Sequence, residues 1–539
     1  MRDRAEMWAR RWAAATGDLP PLRTTERQAL AGVLTVGVVL RLAWCVYAAR
    51  PPGPALHDPF FYRFYGEQLA NGNGYRLPDG SPTAYYPPGY PLALAALFWL
   101  GDLTPLTDEI QTGLIAGLNI ACQLALVLTA FAVARRLVPG TRSVTAGLVA
   151  GAVIALWPNL ILHTAVALSE SLFLALLMGA VLAAVSGPWG TARVSTLRLV
   201  AVGVLLGAAT LVRPVSLPLL GALLVAWLAG RAGWRRALGR VALVTGCTLA
   251  VLGPWVVRNA VVMDAVALST NTGDNLCMSR RVGGSGGFEF PNDRCNSGPF
   301  TTLARPAFEV ERDEHGRRVA FDFVAEHPGE EVRLWFRRAG ATFSGDADGV
   351  AAVESYGSDP FLPDGLRRAL VRVADGWYVV MGAVALIGVV AVVRRPTGPR
   401  VLVVASFAGL LGPPIAFFGD QRFKVPAVSL AAVAIGVVVA EALCRRDGGS
   451  ERVPAAAPHS VAPVLPDDGG MTRCLIDSEK PSRPHTAAVV ATMADNLGRR
   501  LGAPLRRDAG RQVAVDDERG MPGALRPVPA GRRRSSARG

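Results

Sequence analysis

The sequence has no CxxC pair and no Cys/His spacing of the kind that holds zinc. Its seven cysteines are scattered. Cys45, Cys122 and Cys247 lie in apolar runs, Cys444 and Cys474 fall in the C-terminal stretch, and Cys277 and Cys295 share one polar loop. No internal repeat is visible, which argues against the repeated halves common among transporters. No cleavable signal peptide is expected. The start, MRDRAEMWARRW, is charged, and the first apolar run comes too late and is too long for a signal core. Residues 444–539 lack apolar periodicity and are rich in Pro, Arg, Ala and Gly, so they read as a disordered, basic, cytoplasmic tail.

What the chain has in abundance is apolar surface. Hydrophobic residues make up 51% of its 539 positions, and the mean hydropathy is +0.31 even with the polar tail included. Repeated apolar runs of about 17–24 residues predict an all-α polytopic membrane protein with about ten transmembrane helices, outer-face loops and surface helices. The spans are expected near 30–49, 113–134, 144–162, 168–186, 197–212, 215–230, 238–257, 377–393, 400–418 and 425–443. The piece at 91–100 is too short for a crossing and reads as a juxtamembrane or half-inserted helix. Residues 1–29 form a basic lead-in, 30–443 the transmembrane domain and 444–539 the tail.

The net charge of +14 invites a nucleic-acid reading. The Arg clusters beside the spans explain it better as a signal of orientation, so no nucleic-acid partner is expected. Arg135-Arg136, Arg142, Arg193, Arg198, Arg231, Arg235, Arg236, Arg240, Arg394, Arg395, Arg400 and Arg445-Arg446 all follow alternate spans. Placing them in the cytoplasm puts both termini there. It also puts the 50–90 loop, His163 to Glu170, Arg213, the 258–376 loop and Gly419 to Lys424 together on the outer face of the plasma membrane.

The 50–90 loop is polar, aromatic and rich in turns. Asp58-Pro59 predicts a helix start with Asp58 as N-cap, and Asn71-Gly72 predicts its stop. Asp58 is thereby held at the water–lipid boundary. In the 258–376 loop, a Gly-rich stretch at 283–287 precedes two expected surface helices, about 308–326 and 329–343. Phe321, Phe323, Val324, Val332, Leu334 and Phe336 on them are able to face either the membrane or the bundle.

Several motifs then line up in order: DPFFYRFYGEQLANGNGY from Asp58, PTAYYPPGYP from Pro82, LSESLFLALL from Leu168, LVRP from Leu211, PWVVRN from Pro254 and GDQRFKVPAV from Gly419. Together, over roughly residues 30–443, they resemble the GT-C membrane glycosyltransferases, in the branch of protein O-mannosyltransferases and lipid A aminoarabinose transferases. The resemblance implies a polyprenyl-phosphate-linked sugar donor, a site at the outer face, and an acidic catalytic residue in the first outer loop. That residue maps to Asp58. The family often carries a second acid close by; here the next residue is Pro59 and the nearest further acid is Glu67.

Transfer from a phosphate-linked sugar needs a base for the acceptor hydroxyl and cations for the departing phosphate. Asp58 is the base on this reading; simple helix capping is compatible with it. His57 is expected to hydrogen-bond at the boundary and to touch substrate. Arg422, Arg258, Arg213 and Lys424 are the phosphate candidates, Arg422 foremost; snorkelling to headgroups is the plainer account of each. Glu170 opens an apolar span and needs a partner, so it is a candidate for donor, acceptor or metal binding. His163 reads as a boundary residue. Tyr62 and Tyr86, with Tyr85 and Tyr90, can stack on sugar rings or form an aromatic belt. A disulfide between Cys277 and Cys295 fits an oxidising compartment. Asp346-Ala-Asp348 imitates a nucleotide-sugar DxD motif but lies on the wrong side for that donor.

The expected activity is therefore an inverting hexosyl- or pentosyltransferase that uses this donor. Its acceptor is a protein, a lipid or a cell-wall glycan, its surroundings are membrane lipids, and a divalent metal ion is left open as cofactor. The rival is a polytopic transporter or lipid flippase.

Overall fold

The computed structural model describes residues 19–53, 57–101, 107–187, 189–190, 193–290 and 293–447. The chain divides into two units, Met1–Asp468 and Gly469–Gly539. The second unit lies outside the described residues, as do residues 1–18 of the basic lead-in and 448–539 of the tail read as disordered; the first four residues of that tail, 444–447, are helical. Among the described residues there is no β-strand; helices form the whole architecture.

The helices run in the order α1 (Thr24–Ala48), α2 (Asp58–Ala70), α3 (Gly89–Gly101), α4 (Asp108–Leu137), α5 (Ser143–Ala155), α6 (Pro158–His163), α7 (Glu170–Val185), α8 (Thr196–Val212), α9 (Pro218–Ala229) and α10 (Trp234–Met263). The 258–376 loop then folds as α11 (Thr272–Cys277), α12 (Asp293–Asn296), α13 (Ala307–Glu326), α14 (Pro328–Phe343) and α15 (Asp348–Val353). The chain closes with α16 (Asp364–Arg394), α17 (Gly398–Leu410), α18 (Gly412–Ala416) and α19 (Val425–Asp447). Six helical stretches are long and apolar enough to cross a membrane, and five shorter apolar helices accompany them. Every stretch read as a span falls on helix. In hydrocarbon only such self-satisfied backbone is tolerated.

The span expected at 144–162 is broken. Pro158 lacks an N–H and drives Trp157 to extended backbone (φ −69°, ψ 111°), so α5 ends at Ala155 and α6 starts anew. The freed carbonyls of Ile154 and Ala155 accept from Arg41 at 3.1 and 2.8 Å. Arg41 also donates to Gln123 Oε1 at 2.7 Å. A guanidinium inside a span is costly when alone; here it sits at a helix C-terminus, where a cation is favoured.

The central helix is α19, which is apolar and buried on nearly all sides. Small residues let it sit close to its neighbours: a Cβ on Gly436 would lie 2.3 Å from the Ala146 carbonyl of α5. The half-inserted helix expected at 91–100 is α3. At 13 residues it is about 20 Å long, short of the ~30 Å hydrocarbon thickness. Gly89 lets it begin against the end of α8; a Cβ there would lie 2.6 Å from Val212 N.

The 50–90 and 258–376 loops are fastened together. Glu309 of α13 accepts from Thr83 Oγ1 and Ala84 N, both at 2.8 Å, and from Thr270 Oγ1. Arg258 at the end of α10 donates to the Thr83 and Tyr75 carbonyls at 2.7 and 3.0 Å. Cys277 and Cys295 are disulfide-bonded and join α11 to α12.

Candidate functional site

The start of α2 differs from the sequence expectation by one residue. The N-cap is His57, whose Nδ1 accepts from Phe60 N at 3.3 Å; Asp58 is the first helical residue. Capping therefore does not occupy the Asp58 carboxylate. One oxygen accepts from Tyr86 OH at 2.8 Å and the other from Arg422 Nη1 at 2.6 Å. Burial and the Asp58 charge hold the Tyr86 phenol well above its ordinary range, so it stays a neutral donor. The Asp58 side chain keeps 27% of its surface exposed.

Arg422 comes from the turn Gln421–Lys424 that leads into α19. The turn is shaped by Asp420, whose carboxylate accepts from Arg422 N at 2.8 Å. Because α19 is central, this turn delivers the guanidinium to the middle of one end of the bundle. Its Nε meets Glu170 Oε1 at the start of α7, and Arg213 Nη1, at the end of α8, meets the same oxygen. Arg213 Nη1 also reaches Ser169 Oγ at 3.4 Å. Four elements distant in sequence thus assemble Asp58, Arg422, Glu170 and Arg213 into one chain of alternating charge. Glu170 is buried; two guanidinium groups provide the partners that an acid at that depth needs.

The cluster leaves donors in hand. Arg422 Nη2 and the Nε and Nη2 of Arg213 make no hydrogen bond among the described residues, whereas Nη1 and Nε of Arg422 are engaged on carboxylates. Glu170 Oε2 has no hydrogen-bond partner either. A guanidinium presents its donors in a fixed fork that matches phosphate oxygens.

The remaining sequence candidates are placed differently. Tyr62 packs its ring against Tyr86 and Tyr90, at 5.2 and 5.3 Å between centroids; Tyr62 and Tyr90 are buried and Tyr86 is half-buried. Lys424 stands behind the cluster. It pairs with Asp346 Oδ1 at 3.1 Å and donates to the carbonyls of Gln421, at 2.9 Å, and Gly345. Arg258 binds backbone carbonyls of the first outer loop and does not reach Arg422. His57 turns a buried, unpartnered Nε2 inward, and burial lowers its pKa.

Sequence reasoning passed over a second ring of residues. Asp346, half of the discounted DxD, accepts from Trp157 Nε1 at 2.6 Å and Asn159 Nδ2 at 3.3 Å. Asp348, the other half, lies 3.3 Å from His163 Nε2. Burial and the nearby Asp348 charge push the Asp420 carboxyl up to about 6. Ser355 and Tyr356 are consecutive left-handed residues (φ 52° and 53°), and the Tyr356 ring lies 6.4 Å from His57. Such backbone costs of order 1–3 kcal/mol per residue and concentrates at functional sites. The DxD spacing was the visible signal for Asp346 and Asp348, and the charged GDQRFK turn for Asp420; nothing in the sequence marked Trp157, Asn159, Ser355 or Tyr356 as part of this ring.

Among the described residues, no three His, Cys, Asp or Glu side chains stand close enough to hold a metal ion. Asp58 and Glu170 each face a guanidinium.

No protein-family model matches the sequence, and no characterised protein matches it significantly by sequence. Solved structures do resemble it. The oligosaccharyltransferase AglB from Archaeoglobus fulgidus is 15% identical with a TM-score of 0.47, over 81% of this chain and 52% of that one. ArnT from Cupriavidus metallidurans, bound to undecaprenyl phosphate, is 16% identical with a TM-score of 0.37, over 76% and 77%. The Pmt1–Pmt2 protein O-mannosyltransferase of S. cerevisiae is 14% identical with a TM-score of 0.35, over 49% and 38%. This chain thus spans about half the length of the archaeal enzyme. All three are GT-C membrane glycosyltransferases, and this all-α polytopic membrane protein is similar to them. At TM-scores below 0.5 the likeness carries no weight for chemistry, which rests on the side chains.

Proposed function

We propose that this chain is an inverting membrane glycosyltransferase. It moves a monosaccharide from a polyprenyl-phosphate donor to an acceptor hydroxyl at the outer face of the plasma membrane, with Asp58 as general base. The observation that carries this reading is the state of the Asp58 carboxylate. It is released from capping, reachable from solvent, and in contact with a guanidinium that has a donor to spare.

The chemistry follows from that geometry. Asp58 takes the acceptor proton as the hydroxyl attacks the anomeric carbon. Tyr86 and Arg422 orient the carboxylate. The spare donors of Arg422 and Arg213 meet the charge that builds on the leaving phosphate. Glu170, fixed between both arginines, holds them apart and aimed. Lys424 and Arg258 support this reading indirectly, the first by packing the turn against Asp346 and the second by holding the first outer loop.

The test is Asp58→Asn in the full chain, reconstituted with a polyprenyl-phosphate sugar. Transfer is expected to fall by about 10²–10⁴-fold with expression and membrane insertion intact. Wild-type transfer by this variant overturns the assignment. Mass spectrometry of envelope material from a strain lacking the protein then identifies the sugar and the acceptor.

A further inference from the structure

Helix α14 is built inside out. Its buried stripe is Glu331, Leu334, Arg338 and Thr342, so two of the four inward residues are charged. Its exposed residues include Val332, Trp335, Phe336 and Phe343, of which Phe336 is 75% exposed. At 100° per residue these four lie on one stripe, about a third of a turn from the buried one. Arg333 and Arg337, also exposed, lie about a third of a turn further round; both pair with Glu330, at 3.1 and 3.6 Å, and Arg337 donates to Gly284 O at 2.6 Å. The helix therefore presents three faces: ionic toward the protein, apolar, and one dominated by arginine. Its neighbour α13 does not share this pattern. The outward residues of α13 include Glu311, Arg318, Asp322 and Glu326, with Phe321 the lone large apolar exception.

The inward charges fix the height of α14. Arg338 donates to Ile415 O at 3.0 Å and Arg280 to Ala416 O at 2.7 Å, while both pair with Glu331. Ile415 and Ala416 end the membrane-length stretch Gly398–Ala416. The helix is thus fastened to the mouth of a span, where hydrocarbon gives way to headgroups. Phe288 and Phe290 are 51% and 80% exposed. They stand at the same span mouth, held there by the Gly419 N to Gly286 O bond at 2.7 Å and the Phe288–Phe418 ring contact at 5.7 Å.

We propose that the Val332, Trp335, Phe336 and Phe343 face of α14, with Phe288 and Phe290, is seated in the headgroup region of the lipid leaflet, with Arg333 and Arg337 at its phosphates. The occupant is lipid because the strip is continuous with the mouth of a span and its aromatics are flanked by guanidinium groups. That composition matches the boundary between acyl chains and phosphates. The seat has a consequence for the turn Phe417–Lys424. Held by Arg338, Arg280 and Gly286, it stands at headgroup depth, the level at which a lipid-borne phosphate travels. The lipid seat itself rests on packing and not on the proposed enzymatic activity.

The test uses the full chain in phosphatidylcholine–phosphatidylglycerol vesicles, with Cys247, Cys444 and Cys474 replaced by Ser. An environment-sensitive fluorophore is attached at Phe336→Cys in one protein and at Asp322→Cys, on the charged outward face of α13, in another. At position 336, blue-shifted emission is expected, with quenching by lipids carrying a nitroxide near the headgroup and none by aqueous iodide. Position 322 is expected to report water. Iodide quenching at 336 as strong as at 322 overturns the proposal. So does protection of 336 from both quenchers, which assigns the face to a second copy or to a protein partner. Transfer activity does not enter the readout, so a failed enzyme assignment leaves this result intact.

Discussion

Glu170 and Glu331 are both buried, and each is gripped by two guanidinium groups: Arg213 and Arg422 for the first, Arg280 and Arg338 for the second. The composition is the same; what lies beyond the pair differs. Around Glu331 the arginines also bind Ser279 Oγ and the Leu276, Ile415 and Ala416 carbonyls, so all their nitrogens but the buried Nε of Arg280 are spent on tying the 258–376 loop to a span end. Around Glu170 no backbone carbonyl is used. The donors pass instead to Asp58, a carboxylate that solvent can reach, and some remain unspent. A buried Arg–Glu–Arg group is a fastening when its outer donors end on backbone and a candidate site when they end on a movable acid. The sequence spacing of the residues does not distinguish the two cases.

The contrast is tested most severely by replacing each triad with apolar residues. Arg280→Met, Glu331→Leu and Arg338→Met together should leave a folded protein that still transfers sugar within a few fold of wild type. Buried ion triads often give way to apolar residues without loss of stability. The matching change at Glu170, Arg213 and Arg422 should also fold but lose transfer, by two orders of magnitude or more for charge stabilisation of this kind. Equal losses from both would erase the distinction drawn between them.

Removing only one partner has a smaller and different effect. Glu331→Ala leaves two guanidinium groups buried without their acid, and should destabilise the protein by about 3–5 kcal/mol. It should be less stable than the triple apolar variant, despite carrying fewer changes. Thermal unfolding in one detergent for both proteins decides the order. A single variant more stable than the triple would mean that the triad is solvated and not buried.

Much of the fold was legible because a membrane permits so few solutions. Apolar run length gave the spans, and GDQRFK stood out as charge squeezed between two of them. The local signals failed where an outcome depends on which partner arrives. His57 takes the cap from Asp58 although Asp is the stronger capping residue; Arg422 and Tyr86 compete for the carboxylate, and no local pattern records them. Asp346 and Asp348 meet Trp157 and His163 across more than 180 positions, so a DxD in a loop gave no hint of its partners. The six apolar residues noted on the outer-loop helices divide. Phe323 and Leu334 are buried, whereas Phe321, Val332 and Phe336 are exposed, and only the position of Glu331 and Arg338 underneath explains which way α14 rolls. The break at Trp157-Pro158 was written in the sequence, yet it was overridden by the apolar run around it.

The smallest effect concerns a titratable neighbour that only one of the two triads possesses. Asp420 faces Asp348, Arg422 and Lys424, and burial together with Asp348 holds its carboxyl at about 6 in the folded protein, against about 4 when unfolded. Below pH 4 the group is protonated in both states and contributes nothing. As pH rises from 4 to 6 the unfolded chain ionises first, so stability falls, and above 6 a penalty of about 3 kcal/mol persists. Asp420→Asn retains an oxygen to accept from Arg422 N and removes the charge. Its melting temperature should therefore be flatter between pH 4 and 6 than that of the wild type, and higher at pH 7. An unchanged slope in the variant would show that Asp420 is ionised at low cost. The turn bearing Arg422 would then be held by its cations more firmly than its burial suggests, and the asymmetry between the two triads would narrow to the exposure of Asp58 alone.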